Sequence, residues 1–133
     1  METFKLQVDT HHTNELINIT SHVQKFVKES HVSSGYVMLF VPHTTAAITI
    51  NENTDPDVQS DMLLGLEHSF PDRGEYKHFE GNSAAHIKSS VIGVSAFVPI
   101  RDNKLVLGIW QGIYFCEFDG PKTRKLLVHI IEN

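Results

Sequence analysis

Sulfur, positive charge and long apolar runs are all scarce in this chain, and each scarcity removes a class of function. Its 133 residues hold one cysteine, Cys116. That excludes an internal disulfide and any site built from several thiolates, and it suits a reducing, cytoplasmic setting. Lysine and arginine total 11 against 16 aspartates and glutamates, a formal net charge of -5. An acidic balance is the wrong sign for a partner made of nucleic-acid backbone or anionic membrane. The longest apolar run, Val37 to Val41, falls far short of the about 20 residues a membrane-crossing helix needs. Glu2, Lys5 and Asp9 interrupt the amino end where a signal peptide would carry its apolar stretch. Glycine and proline fall singly between patterned segments, so no linker or repeat divides the chain and residues 1–133 read as one domain. What is plentiful is histidine, nine in all.

Phe4, Leu6 and Val8 alternate with polar neighbours and predict a strand. Ser21 and Gln24 form a capping-box pattern ahead of Val23, Phe26 and Val27 at helical spacing. Tyr36 to Val41 and Ala47 to Asn51 predict two strands joined as a hairpin through the polar His43-Thr44-Thr45 turn. Asp55 before Pro56 is an N-cap with proline at the first helical position, and Val58, Met62 and Leu66 give that helix one apolar stripe. Residues 70–82 lack any period and read as a surface loop, followed by a short helix from Ser83 to Val91 between Asn82 and Gly93. Val94 to Pro99, Lys104 to Phe118 and Arg124 to Ile131 predict a three-strand meander. Strands and helices do not alternate regularly. The expected class is therefore α+β, an antiparallel or mixed sandwich-like sheet core covered by two or three helices.

Six histidines have ordinary explanations. His11, His12, His22 and His31 lie in polar stretches, His68 closes a helix where a cation suits the dipole, and His129 falls in the last strand. His43, His78 and His86 differ, because each lies where the backbone leaves a regular element or a helix begins beside a polar loop. Three neutral imidazoles with an open position make a catalytic zinc arrangement. Their separations of 35 and 8 residues match no compact zinc motif, so spacing alone does not bring them together.

Two charged groups accompany them. Glu52, Asp55, Asp57 and Asp61 gather four carboxylates within ten residues, an oxygen-rich cluster that suits Mg²⁺ when a phosphate supplies further ligands. Helix capping accounts for Asp55, and Asp57 is a favourable charge in the first turn. Lys88 with Ser89 and Ser90, and Lys122 with Arg124, are what an anionic ligand needs in an acidic protein. Gly108-Ile109-Trp110-Gln111-Gly112 places two glycines in a strand pattern, where a ligand or another backbone would approach closely. There is no G-x-S-x-G elbow, and Cys116 lies in an apolar strand as an inert thiol.

Taken in order, His43-Thr44-Thr45-Ala46, Asn51-Glu52-Asn53 with Asp55-Pro56-Asp57-Val58 and Asp61, Ala85-His86-Ile87-Lys88-Ser89-Ser90 with Gly93, and Leu107-Gly108-Ile109-Trp110-Gln111-Gly112 resemble the YjbQ family over nearly the whole chain. Some members of that family are labelled secondary thiamine-phosphate synthase. The resemblance implies a homotrimeric α+β protein with a histidine-lined site for a metal, often zinc. The family's motif histidines fall on His43, His78 and His86. The expected enzyme acts on a small phosphorylated metabolite, with Glu52 and Lys88 in catalytic roles and Ser89, Ser90, Lys122 and Arg124 holding the anion. Asp55, Asp61 and Gln111 would orient those groups. One departure concerns Lys122, where the family usually has arginine, since lysine cannot grip a phosphate bidentately. Thiamine-phosphate formation displaces pyrophosphate and calls for Mg²⁺, whereas three histidines describe zinc better. Two other readings stay open: a non-catalytic protein that holds a metal or small anion, and metal-free acid–base catalysis by His43.

Overall fold

Period-two alternation builds the first strand, β1 (Glu2–Asp9), with Phe4, Leu6 and Val8 turned toward the core. The computed structural model describes residues 2–133. After β1 the chain runs through β2 (Glu15–Asn18), α1 (Thr20–Ser30), β3 (Ser34–Phe40), β4 (Ala46–Glu52), α2 (Pro56–Ser69) and α3 (Ser83–Ile92), then β5 (Ser95–Arg101), β6 (Lys104–Leu105), β7 (Gln111–Glu117) and β8 (Thr123–Glu132). Every strand pairing is antiparallel. The strands form a five-stranded sheet, β1-β8-β3-β5-β6, and a three-stranded sheet, β2-β7-β4. With three helices added, the α+β class expected from the sequence is the one observed.

The main core contains Val37 and Leu39 from β3, Val98 and Ile100 from β5, and Leu126, Val128 and Ile130 from β8. Ile48, Ile113 and Phe115 join them from the smaller sheet, and α1 adds Val23 and Val27. Each such side chain, fully buried, is worth about 1.5–3 kcal/mol. α3 packs on β4 through a smaller cluster of Ala47, Ala85, Cys116 and Phe118. That packing fixes α3 against the end of the sandwich where the functional groups gather.

Several local expectations are corrected. β3 and β4 are not a hairpin, because they belong to different sheets. Beyond β3 the Val41 N–H pairs with Val94 O, and Pro42 to Thr45 then carry the chain across from the larger sheet to the smaller. Lys104 to Phe118 is not one strand, since β6 stops at Leu105 and β7 begins at Gln111 in the other sheet. β8 does not finish a meander but lies between β1 and β3. β2 went unread because its four residues carry too little alternation. The Ser21–Gln24 capping box is absent: α1 starts at Thr20, and the Gln24 amide instead bonds Leu105 N and Asn103 O at 3.0 and 3.1 Å. The Asp55 cap is present, accepting from Asp57 N at 2.9 Å.

Candidate metal and anion site

Three elements converge at the sheet crossover. His43 stands on the connection between β3 and β4, His78 lies in a loop turn closed by Gly81 N to His78 O at 3.0 Å, and His86 lies in the first turn of α3. Together they line a polar cavity of about 460 Å³ with Thr44, Glu80, Asn82 and Asp119. A larger cavity of about 660 Å³ adjoins it, sharing Pro42, His43, Thr44 and His86 and walled by Phe40, Val41 and Val94. His43 and His86 thus stand at the boundary between a polar chamber and an apolar one.

His43 has a defined tautomer. Its Nε2 accepts a hydrogen bond from the Lys125 backbone N–H at 2.9 Å. A backbone N–H can only donate, so Nε2 is unprotonated and the ring's proton sits on Nδ1. Burial, and next the nearby Arg124 charge, outweigh the opposing Lys125 hydrogen bond and Glu117 charge, and lower the His43 pKa. His43 is therefore a neutral ring with one N–H to offer.

Beneath it lies a buried ion pair. Arg124 donates from Nε to Glu117 Oε1 at 2.8 Å and from Nη2 to Glu117 Oε2, while Nη2 also reaches Thr45 Oγ1 at 2.8 Å. Thr10 Oγ1 and Asp119 N donate to the same carboxylate, each at 2.9 Å. Burial alone would raise the Glu117 pKa, but these hydrogen bonds and the Arg124 charge prevail and lower it. The network ties the crossover to β7 and β8. Glu117 was missed in the sequence; its one signal is a lone charge inside the apolar run Tyr114-Phe115-Cys116-Glu117-Phe118.

The expected site residues separate into groups. Arg124 lines the polar cavity, but its guanidinium is committed to Glu117 and Thr45. Lys122 also faces that cavity and pairs with Asp119 at 2.7 Å. Ser89 is buried and donates to Ala46 O at 2.6 Å, whereas Ser90 lines the larger cavity. Lys88 lies apart from the histidines: positions two apart on a helix face different ways, and it lines a separate cavity. There its buried ammonium binds Glu67 at 2.6 Å and lies over the Phe118 ring.

Glu52 also lies apart from the histidines within its own chain. It ends β4, a strand of seven residues whose other end adjoins the histidines, so about 20 Å lies between them at roughly 3.3 Å per residue. Asp55 caps α2, Asp61 is exposed on that helix, and Gln111 Oε1 accepts from Gly108 N at 2.7 Å. None of these three lines either histidine cavity. The glycines have their own explanation: a Cβ on Gly112 would come within 2.9 Å of Asn53 Cβ, so glycine lets β7 lie against Asn53. The Cys116 thiol is pushed up to about 12 by burial and is inert.

For a metal, two imidazoles lie near enough to each other to be considered. His78 and His86 have ring centres 5.3 Å apart, close to the roughly 5 Å of two imidazoles bound to one tetrahedral ion at about 2.0–2.1 Å per bond. Asn82 Oδ1, on the same wall, is buried without a hydrogen-bond partner among the described residues, an acceptor suited to a cation or a donor. His43 joins such a set only if its ring gives up Lys125. Consistent with that, no group of three or more His, Cys, Asp or Glu side chains among the described residues is gathered closely enough to hold an ion.

The family profile described as UPF0047 protein YjbQ-like matches residues 4–133. The chain belongs to the YjbQ family. It is 49% identical to the UPF0047 protein YugU of Bacillus subtilis over 127 residues, covering 95% of this chain and 96% of that one. The crystal structure of a YjbQ/UPF0047 protein from Clostridium acetobutylicum superposes with a TM-score of 0.94 at 54% identity, covering 96% of this chain and 99% of the other. A protein of unknown function from Sulfolobus solfataricus keeps the architecture at 32% identity, with a TM-score of 0.95 and coverage of 99% and 97%. The two-sheet fold is thus the YjbQ fold. No helix among the described residues is long and apolar enough to cross a membrane.

Proposed function

We propose that this YjbQ protein binds a divalent metal and a small phosphorylated metabolite at the sheet crossover, and acts on that metabolite as an enzyme. The observation that carries the reading is the convergence of His43, His78 and His86 on one polar cavity from three different elements. His78 and His86 would hold the metal, with Asn82 Oδ1 beside them. Imidazole donors favour zinc over Mg²⁺, and the carboxylate cluster that would suit Mg²⁺ lies at the far end of β4. A bound ion would supply positive charge to a phosphate oxygen. His43 Nδ1–H would donate to the same anion, Lys122 would turn to it from Asp119, and the apolar chamber beside it would accept the rest of the molecule.

Elemental analysis of the purified protein, followed by assay of thiamine-phosphate formation from its two phosphorylated precursors with zinc and with Mg²⁺, tests both halves. Bound zinc in the native protein, lost in His86→Ala, together with turnover supports the enzyme. Unchanged metal content in His86→Ala contradicts the ligand assignment. One observation favours the non-catalytic alternative: Glu52 lies outside the histidine cavity of its own chain. Metal binding without turnover of any phosphorylated substrate would establish it.

A further inference from the structure

The ladder between β3 and β8 ends at the Phe40–Leu127 pair. Two residues earlier on β8, the Lys125 N–H donates to the His43 ring at 2.9 Å, so a side chain continues the ladder where the strand has stopped. That bond joins two segments, the crossover from His43 to Thr45 and the start of β8. A single guanidinium holds both. Arg124 immediately precedes Lys125, and its Nη2 donates to Thr45 Oγ1 at 2.8 Å and to Thr45 O at 3.3 Å, two residues beyond His43.

Glu117 holds the guanidinium in turn. It is 0% exposed, and its two oxygens accept from Nε and Nη2. Thr10 Oγ1 and Asp119 N fix the carboxylate, and Thr10 Oγ1 also accepts from Lys122 N at 2.8 Å, which pins the turn before β8. These contacts use two of the three guanidinium nitrogens. Nη1 has no partner among the described residues, and Arg124 lines the polar cavity beside His43. On the His43 ring Nε2 is taken and Nδ1–H is free. An ion pair buried this deeply adds little stability over an apolar pair of the same size. What it adds here is direction.

We infer that Glu117 is the positioning residue of this cavity. By holding Arg124 it leaves Nη1 as the one guanidinium nitrogen for a ligand, and by locking Thr45 to the start of β8 it keeps the His43 proton on Nδ1, so that two fixed N–H donors serve one phosphate oxyanion. Donors set beforehand bind more tightly than mobile ones, because less freedom is lost on binding. Glu117 itself does not line the cavity. The anion rests on the proposed function above; the control of the His43 tautomer does not.

Two variants test this, Glu117→Gln and Thr45→Val, the second keeping the ion pair whole and cutting only its hydroxyl link to the crossover. Circular dichroism verifies folding, and Thr45→Val decides alone if Glu117→Gln does not fold. Nitrogen-15 spectra of the imidazoles without ligand, at a pH where the rings are neutral, give the His43 tautomer; calorimetric titration with inorganic phosphate gives the affinity. The native protein is expected to carry the His43 proton on Nδ1 alone. Glu117→Gln should show mixed tautomers and bind phosphate about tenfold more weakly or worse, although the site has lost a negative charge, and Thr45→Val should show the same changes to a smaller degree. A merely structural ion pair would lower stability and leave the tautomer as it is in the native protein, whereas a merely electrostatic one would tighten phosphate binding in Glu117→Gln. Either result overturns the inference, as does a native His43 protonated on Nε2. Absence of phosphate binding by the native protein contradicts the proposed function instead, and the tautomer still decides the role of Glu117.

Discussion

His43 shows how much a single backbone contact decides. Lys125 N–H occupies one ring nitrogen, so protonating His43 would set two donors against each other. With its folded pKa lowered, the ring contributes stability that is fully present above the ordinary value of about 6.5 and is lost as pH falls through the folded pKa. His43→Asn removes that dependence, and denaturant midpoints measured from neutral to mildly acidic pH should be flatter in the variant. Glu117 has the same sign at lower pH, since its lowered folded pKa gives stability above the ordinary carboxylate range that disappears on acidification. Removing only its partner, in Arg124→Ala, leaves a buried charge and should cost about 3–5 kcal/mol by urea unfolding. Lys88 tests the opposite claim. Lys88→Met loses the ion pair to Glu67, whose carboxylate is half exposed, yet it should leave metal content unchanged because Lys88 does not face the histidines.

At the scale of elements, legibility followed whether the signal was local. β1, the Asp55 cap of α2 and the unpatterned loop before α3 were readable because each depends on neighbours in sequence. The crossover was not. A proline after an apolar strand marks an end but does not say whether the chain turns back or changes sheets, and here Val94 rather than a hairpin partner takes the Val41 N–H. The same limit hid the division of the motifs. Asn51-Glu52-Asn53 and His43-Thr44-Thr45 are close in sequence, yet an extended strand converts a short separation into the length of the sheet. His78 and His86, by contrast, lie eight residues apart and meet because the loop folds back on the start of α3. Residues that hold these elements together should be the sensitive ones. Phe115 is fully buried at the centre of β7, and Phe115→Ala should cost about 3–5 kcal/mol, read as a lower denaturation midpoint with an unchanged secondary-structure spectrum.

For the molecule as a whole, the scarcities of the sequence acquire positions. A carboxylate cluster lies around the end of β4, and three imidazoles collect at the crossover beside cations that are paired with Asp119 and Glu117, so one chain carries two chemically different ends. YjbQ membership accounts for the architecture that creates this polarity. Isothermal titration with zinc chloride, above the imidazole titration range, is the most direct measurement of the histidine site. The native protein should bind zinc stoichiometrically, with His78→Ala and His86→Ala each weakened beyond the about 10–100-fold that loss of a supporting partner costs. Equal affinity in the native protein and both variants, or no heat in any of them, would show that the converging histidines do not form a metal site.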